Sequence, residues 1–127
     1  MTTTVMSVLL VDDEPDIRRI GQLALQRVAK WDVRLASSGP EALELAAERA
    51  PDLVLLDVMM PGMDGPTTLT NLRALGGLGK TPVIFMTAKV QRHEVDRYLA
   101  LGAAGVIAKP FDPMSLAKEI QELLASA

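Results

Sequence analysis

The chain has 127 residues, enough to bury one proper core and too few for two ordinary domains. Hydrophobic residues make up 49% but aromatics only 3%, so the core must be built from Leu, Val, Ile, Ala and Met, as suits helices packed on a sheet. A formal charge of -3 argues against direct nucleic-acid binding, which needs a positive surface, and the lack of cysteine removes disulfides and thiolate metal sites.

The opening Met1-Thr2-Thr3-Thr4-Val5 lacks the basic segment and apolar core of a secretory signal. No apolar stretch approaches the roughly 20 residues that span a bilayer, so no membrane contact and a cytoplasmic location are expected. The run Ser7 to Val11 predicts a first strand that finishes on Asp12-Asp13. A helix follows with Pro15 in its first turn, and Ile17, Ile20, Ala24 and Val28 share one face. Trp31 precedes the second strand, Val33 to Ala36, and reads as structural. Ser38-Gly39-Pro40-Glu41 has capping-box spacing and opens the second helix. Leu53 to Leu56 predicts a third strand ending on Asp57, with a helix to follow around Thr67 to Ala74.

Gly76-Gly77-Leu78-Gly79-Lys80-Thr81 superficially resembles a phosphate-binding loop. Its glycine spacing is wrong and it precedes a strand, so it reads as a helix-to-strand connection. The fourth strand, Val83 to Met86, leads into Thr87. Its helix carries Val95, Tyr98 and Leu99, stops at Gly102, and presents His93 to solvent without metal-ligand companions. Val106 to Ala108 ends on Lys109, and a last helix after Asp112-Pro113 carries Leu116, Ile120, Leu123 and Leu124. Arg18, Arg19, Arg92 and Arg97 read as scattered, solvated helix charges, and Met59, Met60 and Met63 as gap-filling around the loop after Asp57.

Short apolar runs alternating with helical periods describe β-α units winding a parallel sheet in a single domain. Ligands of such sheets sit beyond the carboxyl ends of the strands. Asp12, Asp13, Asp57, Thr87 and Lys109, from four strands, all fall at that edge. Each alone reads as a common helix cap. Convergence of all five asks for a shared purpose. Two carboxylates about 4 Å apart repel by roughly 4 kcal/mol at an effective dielectric near 20, so the cluster calls for a hard cation as well as Lys109.

Val11-Asp12-Asp13-Glu14-Pro15, Leu55-Leu56-Asp57-Val58-Met59-Met60-Pro61-Gly62-Met63-Asp64-Gly65, Met86-Thr87-Ala88 and Gly102-Ala103-Ala104-Gly105 leading to Ala108-Lys109-Pro110-Phe111 together resemble the receiver domain of two-component response regulators, most closely in size the single-domain chemotaxis type. The resemblance implies a flavodoxin-like, doubly wound (βα)5 fold with a five-stranded parallel sheet in order 2-1-3-4-5. It implies one receiver domain over residues 1–127 with no output domain in this chain. It also implies phosphorylation of Asp57 by a sensor histidine kinase or a histidine phosphotransfer protein, with Mg²⁺ held by Asp12, Asp13, Asp57 and the Met59 carbonyl. Thr87, Ala88 and Lys109 would receive the phosphoryl oxygens. A cis Lys109-Pro110 peptide is implied too, which an X-Pro bond permits.

The chain departs from the family pattern at Val106: an aromatic ring there usually couples phosphorylation to output, and a branched aliphatic residue supplies no ring to swing. Met59 and Lys89 flank the expected path of hydrolytic water and imply slow self-dephosphorylation. The downstream target is unspecified. A surface including Tyr98, Lys118 and Glu122 is expected to dock it or to support a weak dimer of an otherwise monomeric protein. Two alternatives stand beside this reading: a receiver-like scaffold that works without phosphorylation, and a phosphohydrolase of the haloacid-dehalogenase type. The latter demands an acid two residues after the nucleophile, where Asp57 has Met59.

Overall fold

A computed structural model describes residues 7–126. Met1 to Val5, read above for a secretory signal, lie outside the described residues. The elements alternate strictly as β1 (Ser7–Val11), α1 (Pro15–Val28), β2 (Asp32–Ala36), α2 (Gly39–Glu48), β3 (Leu53–Asp57), α3 (Gly65–Ala74), β4 (Val83–Thr87), α4 (Arg92–Ala100), β5 (Gly105–Ala108) and α5 (Leu116–Ser126). The strands form one parallel sheet in the order β2-β1-β3-β4-β5, the doubly wound architecture expected. Among the described residues no helix is long and apolar enough to cross a membrane.

Successive strand residues face opposite sides of a sheet, and here both sides are covered. Leu9, Val11, Val54, Leu56 and Phe85 pack under α2, α3 and α4 through Ala42, Ala46, Leu69, Leu72 and Tyr98. Val8, Leu10, Leu53, Leu55, Ile84 and Met86 pack under α1 and α5 through Ala24, Leu25, Leu116, Ala117 and Ile120. That double burial explains why the strands read as continuous apolar runs. Trp31 is buried in the second of these clusters, and His93 is exposed.

Several local expectations change. The buried stripe of α1 is Gly21, Ala24 and Leu25, while Ile20 and Val28 are exposed. Gly21 causes the rotation: a Cβ there would stand 2.7 Å from Leu10 Cδ2, so its absence brings α1 close to β1 along that line. Helix α3 starts two residues earlier than expected, because Asp64 accepts the Thr67 N–H and caps it. Pro113 lies in a turn ahead of α5, where Asp112 accepts the Met114 N–H, and so is not in the first helical turn. The capping box of α2 forms with a shift: Ser38 Oγ accepts from Glu41 N, but the Glu41 carboxylate accepts from Ser37 N.

Tyr98 is buried against Phe85 and is not available as the docking residue expected of it, whereas Lys118 and Glu122 are exposed. The glycine-rich segment connects α3 to β4; Leu78 is buried, and Arg73 donates to the Leu78 and Thr81 carbonyls.

Candidate functional site

The ladders bring the expected residues to the carboxyl edge of the sheet. Asp57 and Thr87 are the last residues of β3 and β4, in register with Met86 and Ala108. Asp12 follows β1 directly and its N–H donates to the Ala36 carbonyl, so the first acid is fixed by sheet-like pairing one step past the strand. One carboxylate oxygen from each of Asp12, Asp13 and Asp57 lies within 4.8 Å of the others. Asp12 and Asp57 are buried, and Asp13 is half-buried.

Lys109 Nζ sits between the acids, donating to Asp12 Oδ2 at 2.9 Å and Asp57 Oδ1 at 3.2 Å. The cis Lys109-Pro110 peptide follows β5, and the Lys109 N–H donates to the Thr87 carbonyl. Thr87 Oγ accepts the Lys89 N–H at 3.0 Å, which leaves its own proton free to be donated. Between Asp57 and α3, Gly65 N–H donates to the Val58 carbonyl at 2.8 Å. A Cβ on Gly65 would stand 2.5 Å from the Asp57 carbonyl oxygen, so this loop closes only around glycine.

A cleft of about 380 Å³ opens over Asp57 and is bounded by Glu14, Met59, Thr87, Ala88, Lys89 and Lys109. The Met59 side chain is 64% exposed at its mouth, so it does not fill a gap; Met60 is buried and Met63 half-buried, as that role requires.

Burial, and then the charge of Asp12, push the Asp57 carboxyl up to about 6, against the opposing pull of Lys109. Burial alone would lower Lys109, but its hydrogen bond to Asp12 and the charges of Asp12 and Asp57 raise it above the ordinary value. Beyond burial, both shifts reflect acids that outnumber the ammonium that they share. Clustered hard carboxylate oxygens with that surplus charge fit Mg²⁺, which prefers oxygen ligands and keeps several waters.

Two site residues escape the sequence reading. Glu14 reaches within 3.5 Å of Lys109 Nζ. Arg18, expected to be solvated, donates through Nη1 to the Asp12 carbonyl at 2.7 Å. Adjacency to Asp13 is the only sequence signal for Glu14, and the spacing of one helical turn from Glu14 is the only one for Arg18. Val106 is half-buried, pairs with Phe85 across the β4–β5 ladder, and lies outside the cleft.

The chain matches the response regulator receiver domain over residues 8–121. It belongs to that family. The receiver is 36% identical over 121 residues to the transcriptional regulatory protein BaeR of Escherichia coli, covering 92% of this chain and 47% of that protein. It is 36% identical over 120 residues to the response regulator Rre1 of Synechocystis, covering 94% and 52% respectively. It therefore spans about half the length of these relatives. Among solved structures, the chemotaxis response regulator CheY4 of Vibrio cholerae superposes with a TM-score of 0.88 at 34% identity, covering 95% of this chain and 100% of that one. A response regulator from Chloroflexus aurantiacus gives 0.82 at 32% identity, covering 94% and 98%. The flavodoxin-like fold is shared with these receivers, and the family is one of signalling regulators, not metabolic enzymes.

Proposed function

We propose that this receiver, as a single domain over residues 1–127, accepts a phosphoryl group on Asp57 from a sensor histidine kinase or a histidine phosphotransfer protein in a Mg²⁺-dependent reaction. The observation that carries the reading is Lys109 Nζ placed 3.2 Å from Asp57 and 2.9 Å from Asp12, beside a third acid and a buried threonine hydroxyl.

Asp57 is the nucleophile. Its carboxylate attacks phosphorus, the P–N bond of the donor histidine breaks, and the imidazole leaves with the electron pair as an acyl phosphate forms. With a carboxyl pushed up to about 6, Asp57 is mostly ionised at neutral pH and needs no general base. Lys109 shifts from sharing two carboxylates to pairing with a phosphoryl oxygen. Thr87 turns its free proton toward another, and the Ala88 N–H serves the same group. Held by Asp12, Asp13, Asp57 and the Met59 carbonyl, Mg²⁺ would neutralise the charge carried by the phosphoryl oxygens during transfer.

The added phosphoryl group carries about two negative charges and recruits Thr87, and through it the segment leading to α4. Output then passes through that segment to a downstream protein, or the receiver serves as a relay intermediate or sink; Val106 supplies no ring to move. The reading is of a cytoplasmic protein beside its kinase, acting as a monomer or weak dimer.

Incubation of wild type and Asp57→Asn with phosphoramidate, with and without Mg²⁺, tests this by intact mass. Gain of one phosphoryl group in wild type alone, and only with Mg²⁺, is expected. Absence of any gain would shift the assignment to a scaffold that works unphosphorylated.

A further inference from the structure

The mouth of the cleft carries a charge that the transfer reaction does not require. Glu14 holds its backbone N–H on Asp12 Oδ1 at 2.9 Å, which orients the buried acid, while its own side chain remains 61% exposed. That side chain leans toward Lys109, with Oε1 3.5 Å from Nζ. It therefore stands on the solvent side of the ammonium, whereas Asp12 and Asp57 hold the buried side. The other charges near the opening are Lys89, which lines the same cleft, and Arg18, which is turned to the Asp12 carbonyl.

In an in-line displacement the leaving group departs on the side of phosphorus opposite the nucleophile. Asp57 is buried beneath the cleft, so the leaving group points outward, into the opening that Glu14 and Lys89 line. Resting on the phosphoacceptor reading above, we propose that Glu14 is a donor-selecting residue: its carboxylate favours phosphodonors that carry a positively charged nitrogen on phosphorus over donors whose leaving group is an anion.

The two donor classes differ in the charge that they bring to that place. Phosphoramidate reacts as H₃N⁺–PO₃²⁻: the Asp57 oxygen bonds to phosphorus, the P–N bond breaks, and neutral ammonia leaves with the electron pair. A protonated phosphoimidazole behaves alike. Acetyl phosphate arrives as a dianion; its P–O bond breaks and acetate leaves, so negative charge grows on the atoms nearest Glu14. A fixed anion attracts the first leaving group throughout the approach and repels the second. Glu14 touches neither phosphorus nor the attacking oxygen, so a purely structural effect, such as a shift of Lys109, would change both donors alike.

The test compares second-order rate constants for phosphorylation by phosphoramidate and by acetyl phosphate, at saturating Mg²⁺, in wild type, Glu14→Gln and Glu14→Asp, with folding checked by circular dichroism. Glu14→Gln is expected to move the phosphoramidate-to-acetyl phosphate ratio toward acetyl phosphate by about threefold to tenfold, as suits one partly solvated charge. The change should shrink as salt is raised, because the charge is exposed. Glu14→Asp, which keeps the charge, should stay near the wild-type ratio. A common factor for both donors in Glu14→Gln, or a ratio shift insensitive to salt, overturns the role of Glu14 and leaves phosphorylation of Asp57 standing. Failure of wild type to gain a phosphoryl group from either donor overturns the phosphoacceptor reading, and this inference falls with it.

Discussion

The rings of Tyr98 and Phe85 pack with centroids 5.3 Å apart and planes tilted by 59°, and Phe85 is the ladder partner of Val106. In a chain with few aromatics, this pair joins α4 to β4, the strand next to the β5 edge of the sheet. Tyr98 is the buried residue of α4, so the helix depends on one ring for its attachment. Tyr98→Ala should cost about 3–5 kcal/mol in urea unfolding, and Tyr98→Phe, which keeps the ring pair, less than about 1 kcal/mol. A loss below about 1 kcal/mol in the alanine variant would show that α4 is held some other way.

Glycine at 65 is required by backbone and not by side chains. A Cβ there would meet the Asp57 carbonyl oxygen at 2.5 Å and Val58 Cα at 2.8 Å, neither of which can swing aside. At Gly105 the obstacle is the tip of Leu123, at 2.8 Å, which can move. Gly65→Ala is therefore expected to cost at least about 2 kcal/mol and Gly105→Ala distinctly less. Denaturant midpoints of the two variants, measured side by side, check the order; equal losses would contradict the close approach at residue 65.

The acid cluster makes the metal-free protein oppose its own ionisation. Asp57 titrates near 6 when folded and near its ordinary 3.8 when unfolded, so between these values the folded state keeps a proton that the unfolded state has lost. Stability then falls as pH rises through that window, by on the order of 3 kcal/mol for this group. Lys109 acts in the same sense at higher pH: its raised value contributes stability that is present below its ordinary 10.5 and lost as pH rises above it. Without Mg²⁺ at pH 7.5, Asp57→Asn should exceed wild type by about 1–3 kcal/mol, and the gap should close toward pH 4. Mg²⁺ should stabilise wild type more at pH 7.5 than at pH 5. Thermal unfolding of both proteins across pH measures this, and a gap that does not vary with pH would contradict the assignment.

Met59 and Lys89 stand at the cleft through which water must reach a phosphoryl group on Asp57. A long apolar chain and a long cation obstruct or misorient that water, so the phosphorylated receiver should lose its phosphoryl group slowly. Met59→Asn and Lys89→Glu are each expected to raise the hydrolysis rate about threefold or more, read as decay of the phosphorylated mass. Unchanged rates in both variants would remove the basis for this role.

The sheet was legible because strands covered on both faces carry no polar alternation to confuse them, and because Asp12, Asp57, Thr87 and Lys109 each close such a run. Sequence spacing alone could not tell which side of α1 is buried. Gly21 has no apolar side chain to register as core, yet its lack of a side chain sets the contact line, leaving Ile20 exposed. The spacing of Val95, Tyr98 and Leu99 does not tell which of them is buried; Tyr98 is, because Phe85 on another element meets its ring, while Leu99 is exposed. Glu14 and Arg18 enter the site through partners fixed by tertiary structure; the Lys109 that Glu14 approaches is brought to the first strand from 97 positions beyond Asp12.

The acyl phosphate is expected to form on Asp57. Borohydride reduces an acyl phosphate to the alcohol, so trapping after reaction with phosphoramidate converts the modified aspartate to homoserine, which peptide mass spectrometry can place. Homoserine at position 57, formed only when Mg²⁺ is present, is the expected result. Homoserine at Asp12, Asp13 or Glu14, or at no position in a protein shown to be folded and to bind Mg²⁺, would rule out Asp57 as the acceptor.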